Sequence, residues 1–217
     1  MCGRYVRKAP SAIYAELFGV ESVPGDVSYN VAPTQAVPVI RAADQRREAV
    51  LMRWGLIPFW SKDGKQRIIN ARADTVLQKP AFRASVKKRR GLVLADGYYE
   101  WMTEGKTKHP FYFHRRDDRP FAFAGLWDTW KSPDGPVETC AIITTDANDL
   151  SRPIHDRMPV ILPQSACGPW LDPEIEDATV LQELLTPVPS KELECFAVGP
   201  LVNNMKNNRP ECLQRVA

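Results

Sequence analysis

A cysteine follows the initiator methionine directly, in Met1-Cys2-Gly3-Arg4. Removal of Met1 by an aminopeptidase would leave a free α-amine and a thiol on a single Cα. Their ordinary pKa values, about 8 and about 8.5, leave each group a minority of nucleophilic form near neutral pH. Such a 1,2-aminothiol condenses with an aldehyde, because the amine forms a Schiff base and the thiolate closes on the imine carbon to give a thiazolidine. An incidental cysteine is the alternative.

Asn70 and Arg72 lie two residues apart in the segment 68–74. In an extended strand their side chains project to the same face, and a shared polar face suits contact with a substrate. The alternative is a capping asparagine beside a surface arginine.

Glu100 follows the apolar run 92–95 and stands among Tyr98, Tyr99 and Trp101. Apolar surroundings raise the pKa of a carboxyl group and make it available as a general acid or base near neutral pH. Glu100 is therefore the candidate for proton transfer. The alternative is a water-exposed glutamate at a strand edge.

His155 lies in a charged loop, Ser151 to Pro159, between two apolar strands. Histidine can shuttle protons at physiological pH, and a neighbouring arginine such as Arg157 can hold an anion. His109 and His114 are five residues apart on a strand-like segment and would face opposite sides, which argues against a metal cluster. A structural loop histidine remains the alternative for His155.

The segment Pro58-Phe59-Trp60 combines two aromatic side chains with a rigid proline. Exposed aromatic residues on a turn are suited to stacking on bases or wedging between them. Trp54, a few residues earlier, is instead predicted to belong to the core.

The composition is that of an ordinary globular protein, with 217 residues, 44% hydrophobic and 25% charged. No linker or repeat divides the chain, so we expect a single domain over residues 1–217. Five scattered cysteines without a C-x-x-C pair indicate neither a zinc site nor a disulfide framework, and favour a reduced, intracellular compartment. The sequence contains no signal peptide and no apolar run of about 18 residues, so no membrane span is expected. A net charge of +3 does not by itself predict nucleic-acid binding.

The elements that must position these residues are mostly short strands. Apolar, β-branched or aromatic runs of strand length occur at Val37–Ile40, Ala49–Arg53, Gly91–Ala95, Pro110–His114, Phe121–Leu126, Cys140–Thr144, Val160–Leu162 and Glu194–Val198. Helices are predicted at Ser11–Phe18, Gln164–Leu171 and Ile175–Leu185. Because strands and helices do not alternate regularly, we expect an α+β fold with a largely antiparallel, barrel-like β core and a few flanking helices.

Taken in chain order, these segments resemble the SRAP family, the SOS response-associated peptidases. The resemblance rests on Met1-Cys2-Gly3-Arg4-Tyr5, Tyr29-Asn30-Val31-Ala32-Pro33, Arg53-Trp54-Gly55-Leu56-Ile57-Pro58, Ile69-Asn70-Ala71-Arg72, Ala95-Asp96-Gly97-Tyr98-Tyr99-Glu100-Trp101, Ala124-Gly125-Leu126-Trp127 and Ile154-His155-Asp156-Arg157-Met158-Pro159. It implies the SRAP fold and a protein of the DNA damage response that senses abasic sites in single-stranded DNA. The protein would shield each site through a covalent thiazolidine crosslink. The resemblance also implies autocatalytic removal of Met1 and a lyase side activity.

The resemblance assigns roles residue by residue. Cys2 would form the crosslink, Asn70 would hold the N-terminal residue, and Glu100 and His155 would transfer protons. Arg4, Arg72 and Arg157 would hold flanking phosphates, and we extend this role to Arg83. Asp74 departs from the family pattern, because a longer acid often follows the Asn-Ala-Arg motif. We expect no cofactor or metal, a monomer without a membrane partner, and a bacterial-type cytoplasmic location, nucleoid-associated when the protein is bound to DNA.

Two other functions stay open. A cysteine peptidase would use Cys2 with His155 against peptide bonds in other proteins, and it would need only the thiol. A non-enzymatic single-strand-binding module would use the basic and aromatic surface alone, and its complex would dissociate in high salt and denaturant.

Overall fold

The computed structural model describes residues 2–44 and 46–216, and short strands dominate it. The strands are β1 (Arg4–Arg7), β2 (Ser28–Val31), β3 (Ala36–Ala43), β4 (Arg46–Trp54), β5 (Asn70–Arg72), β6 (Arg90–Ala95), β7 (Gly97–Glu104), β8 (Thr107–Arg115), β9 (Phe121–Ser132), β10 (Gly135–Asp146), β11 (Arg157–Pro159), β12 (Ile161–Leu162) and β13 (Leu193–Ala197). The α-helices are α1 (Ser11–Phe18), α2 (Pro80–Lys88), α3 (Gln164–Leu171) and α4 (Ala178–Glu183). Short 3-10 turns lie at Ser190–Glu192, Pro200–Asn203 and Pro210–Leu213.

A closed barrel forms the larger part of the fold. Its strands follow the order β10, β4, β3, β6 and β9, and pairing of β9 with β10 closes the ring. All neighbours in the ring are antiparallel except β4 and β10, which run parallel. The α+β fold with a largely antiparallel, barrel-like core is thereby confirmed.

β6, the first half of β9 and the second half of β10 bury both faces, which explains their continuous apolar runs. One face packs beneath the helices, where Ile40, Leu92 and Leu94 meet Phe82 of α2 and Trp170 of α3. The other face carries aromatic and β-branched residues and packs against a second sheet. Trp54 belongs to this second cluster and is fully buried, as its assignment to the core predicted.

The second sheet holds the N-terminal segment. Its strand order is β13, β8, β7, β1 and β2, with antiparallel pairs throughout. Tyr5 of β1 packs on Trp54 and Phe123 of the barrel, with ring centroids 5.3 Å and 5.8 Å apart. Because β1 is hydrogen-bonded on both sides, the chain is fixed within a few residues of its N-terminus.

The predicted elements compare well with the observed ones where apolar runs are long. Helices α1 and α3 have the predicted bounds, α4 is shorter than Ile175–Leu185, and each predicted strand overlaps an observed one. Strands β1, β2, β7 and β11 and helix α2 were not among the predicted elements. β1 is only four residues long and has arginine at both ends, so it gives no apolar run. α2 has helix signals at both ends, Pro80 in its first turn and lysines in its last turn, but its polar outer face hides the apolar pattern.

Asp96 connects the elements that carry the N-terminus and Glu100. It lies at the turn between β6 and β7 and is almost fully buried. Its Oδ2 accepts hydrogen bonds from the backbone N–H groups of Lys8 and Ala9, at 2.5 Å and 3.0 Å, and from the hydroxyl of Tyr14. One carboxylate therefore joins the end of β1, helix α1 and the start of β7.

We predict that Asp96→Asn lowers the free energy of unfolding by about 3 kcal/mol, because hydrogen bonds to a charged group are lost where water cannot replace them. Urea denaturation measures this as a lower midpoint with an unchanged slope. The matched control is Asp134→Asn, at the exposed turn between β9 and β10, which should change stability by less than about 0.5 kcal/mol. Equal midpoints for the two variants would contradict the role given to Asp96.

Candidate active site

Cys2 stands just before β1 and is fully buried. Its thiol lies 3.9 Å from the carbonyl oxygen of Arg4. Burial raises the pKa of the Cys2 thiol well above its usual range, and the nearby charge of Glu100 raises it further. The thiol is consequently protonated at neutral pH and needs a base before it can act as a nucleophile.

Asn70 fixes the backbone of Cys2. Its Nδ2 donates a 2.8 Å hydrogen bond to the Cys2 carbonyl oxygen. The Asn70 side chain is positioned by β5, which pairs in parallel with β10 so that Asn70 lies opposite Ile142 and Arg72 opposite Thr144. The extended conformation that the Asn70–Arg72 spacing assumed is present.

Glu100 lies in β7, four residues beyond Asp96, and only 4% of its surface is exposed. Burial raises the pKa of the Glu100 carboxyl, and the nearby His155 opposes this increase. The water-exposed strand-edge alternative does not describe this residue. A carboxyl group with a raised pKa can both release and take up a proton near neutral pH.

His155 lies in the loop between β10 and β11. The loop is held by internal hydrogen bonds, including His155 N–H to the Ser151 carbonyl oxygen at 2.9 Å, and the Ser151 hydroxyl lies 3.2 Å from the Tyr98 hydroxyl. The backbone N–H of Arg157 donates to His155 Nδ1 at 3.0 Å. In the neutral ring this leaves the proton on Nε2. Asp156 Oδ1 lies 2.9 Å from the same Nδ1 and pairs with it when the ring is protonated.

A cavity of about 510 Å³ brings part of the predicted site together. Its walls are formed by Arg4, Glu100, Trp101, Thr103, Lys108, His155 and Asn203. Four of these residues were not predicted as site residues: Trp101, Thr103, Lys108 and Asn203. Trp101, Thr103 and Lys108 share the β7–β8 hairpin, where Thr103 lies opposite Lys108, so strand alternation was an available signal. Asn203, which accepts a 2.7 Å hydrogen bond from the Trp101 indole, comes from the distant C-terminal segment and gave no sequence signal.

Arg4 is positioned at the rim of this cavity by its own hydrogen bonds. Its Nη1 donates to Asn30 Oδ1 at 3.0 Å and to the Val202 carbonyl oxygen at 2.8 Å. Burial lowers the pKa of the Arg4 guanidinium, although the group remains charged at neutral pH. The remaining nitrogens of the guanidinium are the ones left to contact a ligand.

Arg72 and Arg157 share one carboxylate, that of Asp74. Asp74 Oδ1 lies 3.3 Å from Arg72 Nε and 3.3 Å from Arg157 Nη2. Arg157 also pairs with Asp146 at 2.6 Å and donates to the Thr144 carbonyl oxygen at 2.7 Å. The sequence suggested a guanidinium available to phosphates, but Arg157 is buried and already paired, because Asp146 lies opposite it in the β10–β11 register.

The aromatic tip and Arg83 lie outside the cavity lining. Pro58 is buried, which corrects its prediction as a contact residue, whereas Phe59 and Trp60 are about half exposed. The backbone of Phe59 is held by a 3.0 Å hydrogen bond to Asp128, and the Arg89 guanidinium lies 5.9 Å from its ring centroid. Arg83 is exposed on α2.

Two further observations concern the described residues. No group of three or more His, Cys, Asp or Glu side chains within ranges 2–44 and 46–216 is placed to hold a metal ion. No described helix has the length and apolar character needed to cross a bilayer. The expected removal of Met1 concerns a residue outside the described ones.

Comparison with known proteins gives the family. The model of the SOS response associated peptidase (SRAP) family matches residues 1–205. The chain belongs to the SRAP family. It is 41% identical over 222 residues to the abasic site processing protein YoqW of Bacillus subtilis, covering 99% of both chains, and 40% identical over 221 residues to YoaM of the same organism, covering 98% and 97%. A crystal structure of a protein from Bacteroides thetaiotaomicron superposes with a TM-score of 0.88 at 30% identity over 100% of both chains.

In this SRAP chain the buried Glu100 should reduce stability as it ionises. Burial raises its pKa in the folded state, so the folded protein holds the Glu100 proton more tightly than the unfolded chain does. The stability that comes from this proton is fully present below the unfolded pKa, near 4.5, and is lost as pH rises through the folded pKa. We therefore predict that Glu100→Gln is more stable than the wild type at pH 7–8, and that the difference shrinks towards pH 4. Urea denaturation from pH 4 to 8 measures it.

Glu104→Gln is the control for this prediction, because Glu104 is exposed on the same strand. Its stability should follow that of the wild type across the range. A Glu100→Gln difference that stays constant with pH would mean that Glu100 keeps an ordinary pKa.

Proposed function

We propose that this protein processes abasic sites in single-stranded DNA by forming a covalent thiazolidine crosslink through Cys2. The observation that carries the proposal is the immobilised N-terminal cysteine beside a buried acid, with Asn70 bound to its carbonyl oxygen and Glu100 close to its thiol. The names of the relatives, abasic site processing proteins, support the same substrate. An abasic sugar opens to a chain with a free aldehyde, which is the electrophile that a 1,2-aminothiol prefers.

The first step joins the Cys2 amine to the aldehyde carbon. Once Met1 is removed, the amine attacks the carbonyl carbon of the open-chain sugar and forms a carbinolamine. Loss of water then gives the imine. Proton transfer is needed twice, to open the sugar ring and to expel the water. Glu100 suits this work, because a carboxyl group with a raised pKa can act as acid and base near neutral pH.

The second step closes the ring. The thiol gives up its proton, sulfur adds to the imine carbon, and the imine nitrogen takes a proton to become the ring amine. No atom is lost in this step, so one water is the only product released over the whole reaction. Burial keeps the free thiol protonated, so a base must accept its proton as the sulfur attacks. Glu100 and His155 are the titratable groups proposed for this transfer.

The DNA strand is proposed to enter over the basic side of the cavity. Arg4 contributes its remaining guanidinium nitrogens, and the half-exposed Arg72 reaches phosphates beyond the cavity. Arg157 has little free surface, so we propose that it chiefly positions the loop of His155, with phosphate contact secondary. Arg83 and the tip residues Phe59 and Trp60 are proposed contacts for more distant nucleotides and bases.

Two finer activities complete the proposal. Autocatalytic removal of Met1 would use the same centre, with Glu100 and His155 assisting attack of one water on the Met1 carbonyl carbon, which releases free methionine and the α-amine of Cys2. A lyase side reaction would follow from the imine, because an imine at the sugar acidifies the adjacent carbon and promotes loss of the 3′ phosphate.

We predict that wild-type protein lacking Met1 forms an adduct with single-stranded DNA containing one abasic site, and that this adduct survives a denaturing gel. Cys2→Ala should abolish the adduct while retaining salt-sensitive binding to single strands, because the basic side chains remain. Cys195→Ser is the matched control, since Cys195 is a second, partly exposed cysteine in the chain, and it should crosslink normally.

Selective blocking of the α-amine separates the crosslinking mechanism from a cysteine peptidase, and intact mass shows whether Met1 has been removed. A cysteine peptidase needs only the thiol and should survive amine blocking. A simple binding module should give no adduct that resists denaturant. A protein that retains Met1 and still crosslinks at full rate would contradict the amine-plus-thiol mechanism.

We further predict that Glu100→Gln slows single-turnover crosslinking by about 10²- to 10⁴-fold, the usual effect of losing a general acid or base. In the wild type the rate should fall as pH decreases through the raised pKa of Glu100, and this dependence should be absent from the variant. His155→Ala should slow the reaction less, because water can substitute in part. The measurement covers pH 5 to 9.

Glu104→Gln again serves as the control and should keep the wild-type rate and pH profile. Unchanged crosslinking in Glu100→Gln would reduce Glu100 to a structural residue, and Cys2 held by Asn70 would be the remaining catalytic group.

A further inference from the structure

Asp74 lies between two arginines, the half-exposed Arg72, which is proposed to contact DNA, and the buried Arg157. Its Oδ1 lies 3.3 Å from Arg72 Nε and 3.3 Å from Arg157 Nη2. A single oxygen between two guanidinium groups has the same surroundings as a phosphate oxygen held by two arginines. The carboxylate therefore satisfies, in the free protein, the donors that would otherwise bind the DNA backbone.

The geometry indicates that this carboxylate can be displaced. Both of its contacts are long, whereas Arg157 is bound at 2.6 Å by Asp146 and at 2.7 Å by the Thr144 carbonyl oxygen. Asp74 lies in the turn that follows β5, and half of its side-chain surface is exposed. Removing its charge consequently leaves Arg157 with its two short contacts and frees Arg72.

We propose that Asp74 sets the affinity for single-stranded DNA by competing with backbone phosphates for Arg72 and, to a lesser extent, Arg157. This inference rests on the proposed function, in that it assumes single-stranded DNA as the ligand. Asp74 is a positioning residue that acts through Arg72, and it takes no part in the crosslinking chemistry. Its competition weakens the binding of any single strand, so that stable association depends more on the covalent step at an abasic site.

The test measures binding of a single-stranded oligonucleotide without an abasic site, by fluorescence anisotropy at fixed salt. Asp74→Asn should bind about two- to fivefold more tightly, the change expected when one half-exposed ion pair no longer competes. Asp74→Glu keeps the charge and should bind as the wild type does. Asp74→Ser, which lacks both charge and amide, should also bind more tightly and guards against an effect peculiar to asparagine.

The matched control is Asp134→Asn, which removes one negative charge at the turn before β10, roughly 40 Å along the strand from Asp146 at the usual rise per residue. It should leave the affinity unchanged. An equal gain in this variant would attribute the effect to net charge and overturn the proposal, as would an unchanged or weaker affinity in both Asp74→Asn and Asp74→Ser.

A double mutant tests whether Asp74 acts through Arg72. Arg72→Ala alone should weaken binding, and adding Asp74→Asn in that background should recover less than half of the gain seen in the wild type. A full gain in the Arg72→Ala background would overturn the assignment. Because this assay uses DNA without a lesion, it is independent of adduct formation, so a failure of the crosslinking proposal and a failure of this inference are distinguishable.

Discussion

The constraint on which the rest of this structure depends is the fixing of a chain end. The first residues of most domains are poorly ordered unless other elements bind them, yet the proposed chemistry needs the second residue held against a buried acid. Here β1 is paired on both sides within a few residues of the N-terminus, and Asn70 binds the carbonyl oxygen of Cys2. Asp96 secures the far end of β1 through the backbone of Lys8 and Ala9. The barrel, the second sheet and the C-terminal segment all contribute to this one placement.

Burial of the site has an electrostatic consequence. The aromatic layer between the sheets excludes water from around Cys2 and Glu100, and this raises the pKa of both groups. Both groups therefore favour their neutral forms, and ionisation of either one lowers the free energy of unfolding. A dry site also strengthens the interaction between the few charges that remain, so Glu100 and His155 influence one another more than exposed residues would.

The surface around the site balances cations against carboxylates. Arg72 is paired with Asp74, Arg157 with Asp146 and Asp74, and the aromatic tip is held by Asp128 with Arg89 beside it. A surface of unpaired arginines would bind any polyanion. Under the proposed function, these pairs would moderate non-covalent affinity and leave discrimination to the chemistry at Cys2.

The sequence alone determined the fold class and the family, and it named the candidate site residues. Long apolar runs with strand periodicity gave the barrel strands, and the motifs around Cys2, Asn70, Glu100 and His155 are local and specific enough to be recognised in one dimension. Tertiary structure decided which of these residues meet. The burial of Pro58 and Arg157, the carboxylate shared by Arg72 and Arg157, and the cavity wall from Asn203 all depend on pairings between segments far apart in the chain. Such long-range contacts leave no local pattern, because a side chain's exposure and ionisation depend on which distant strand packs beside it.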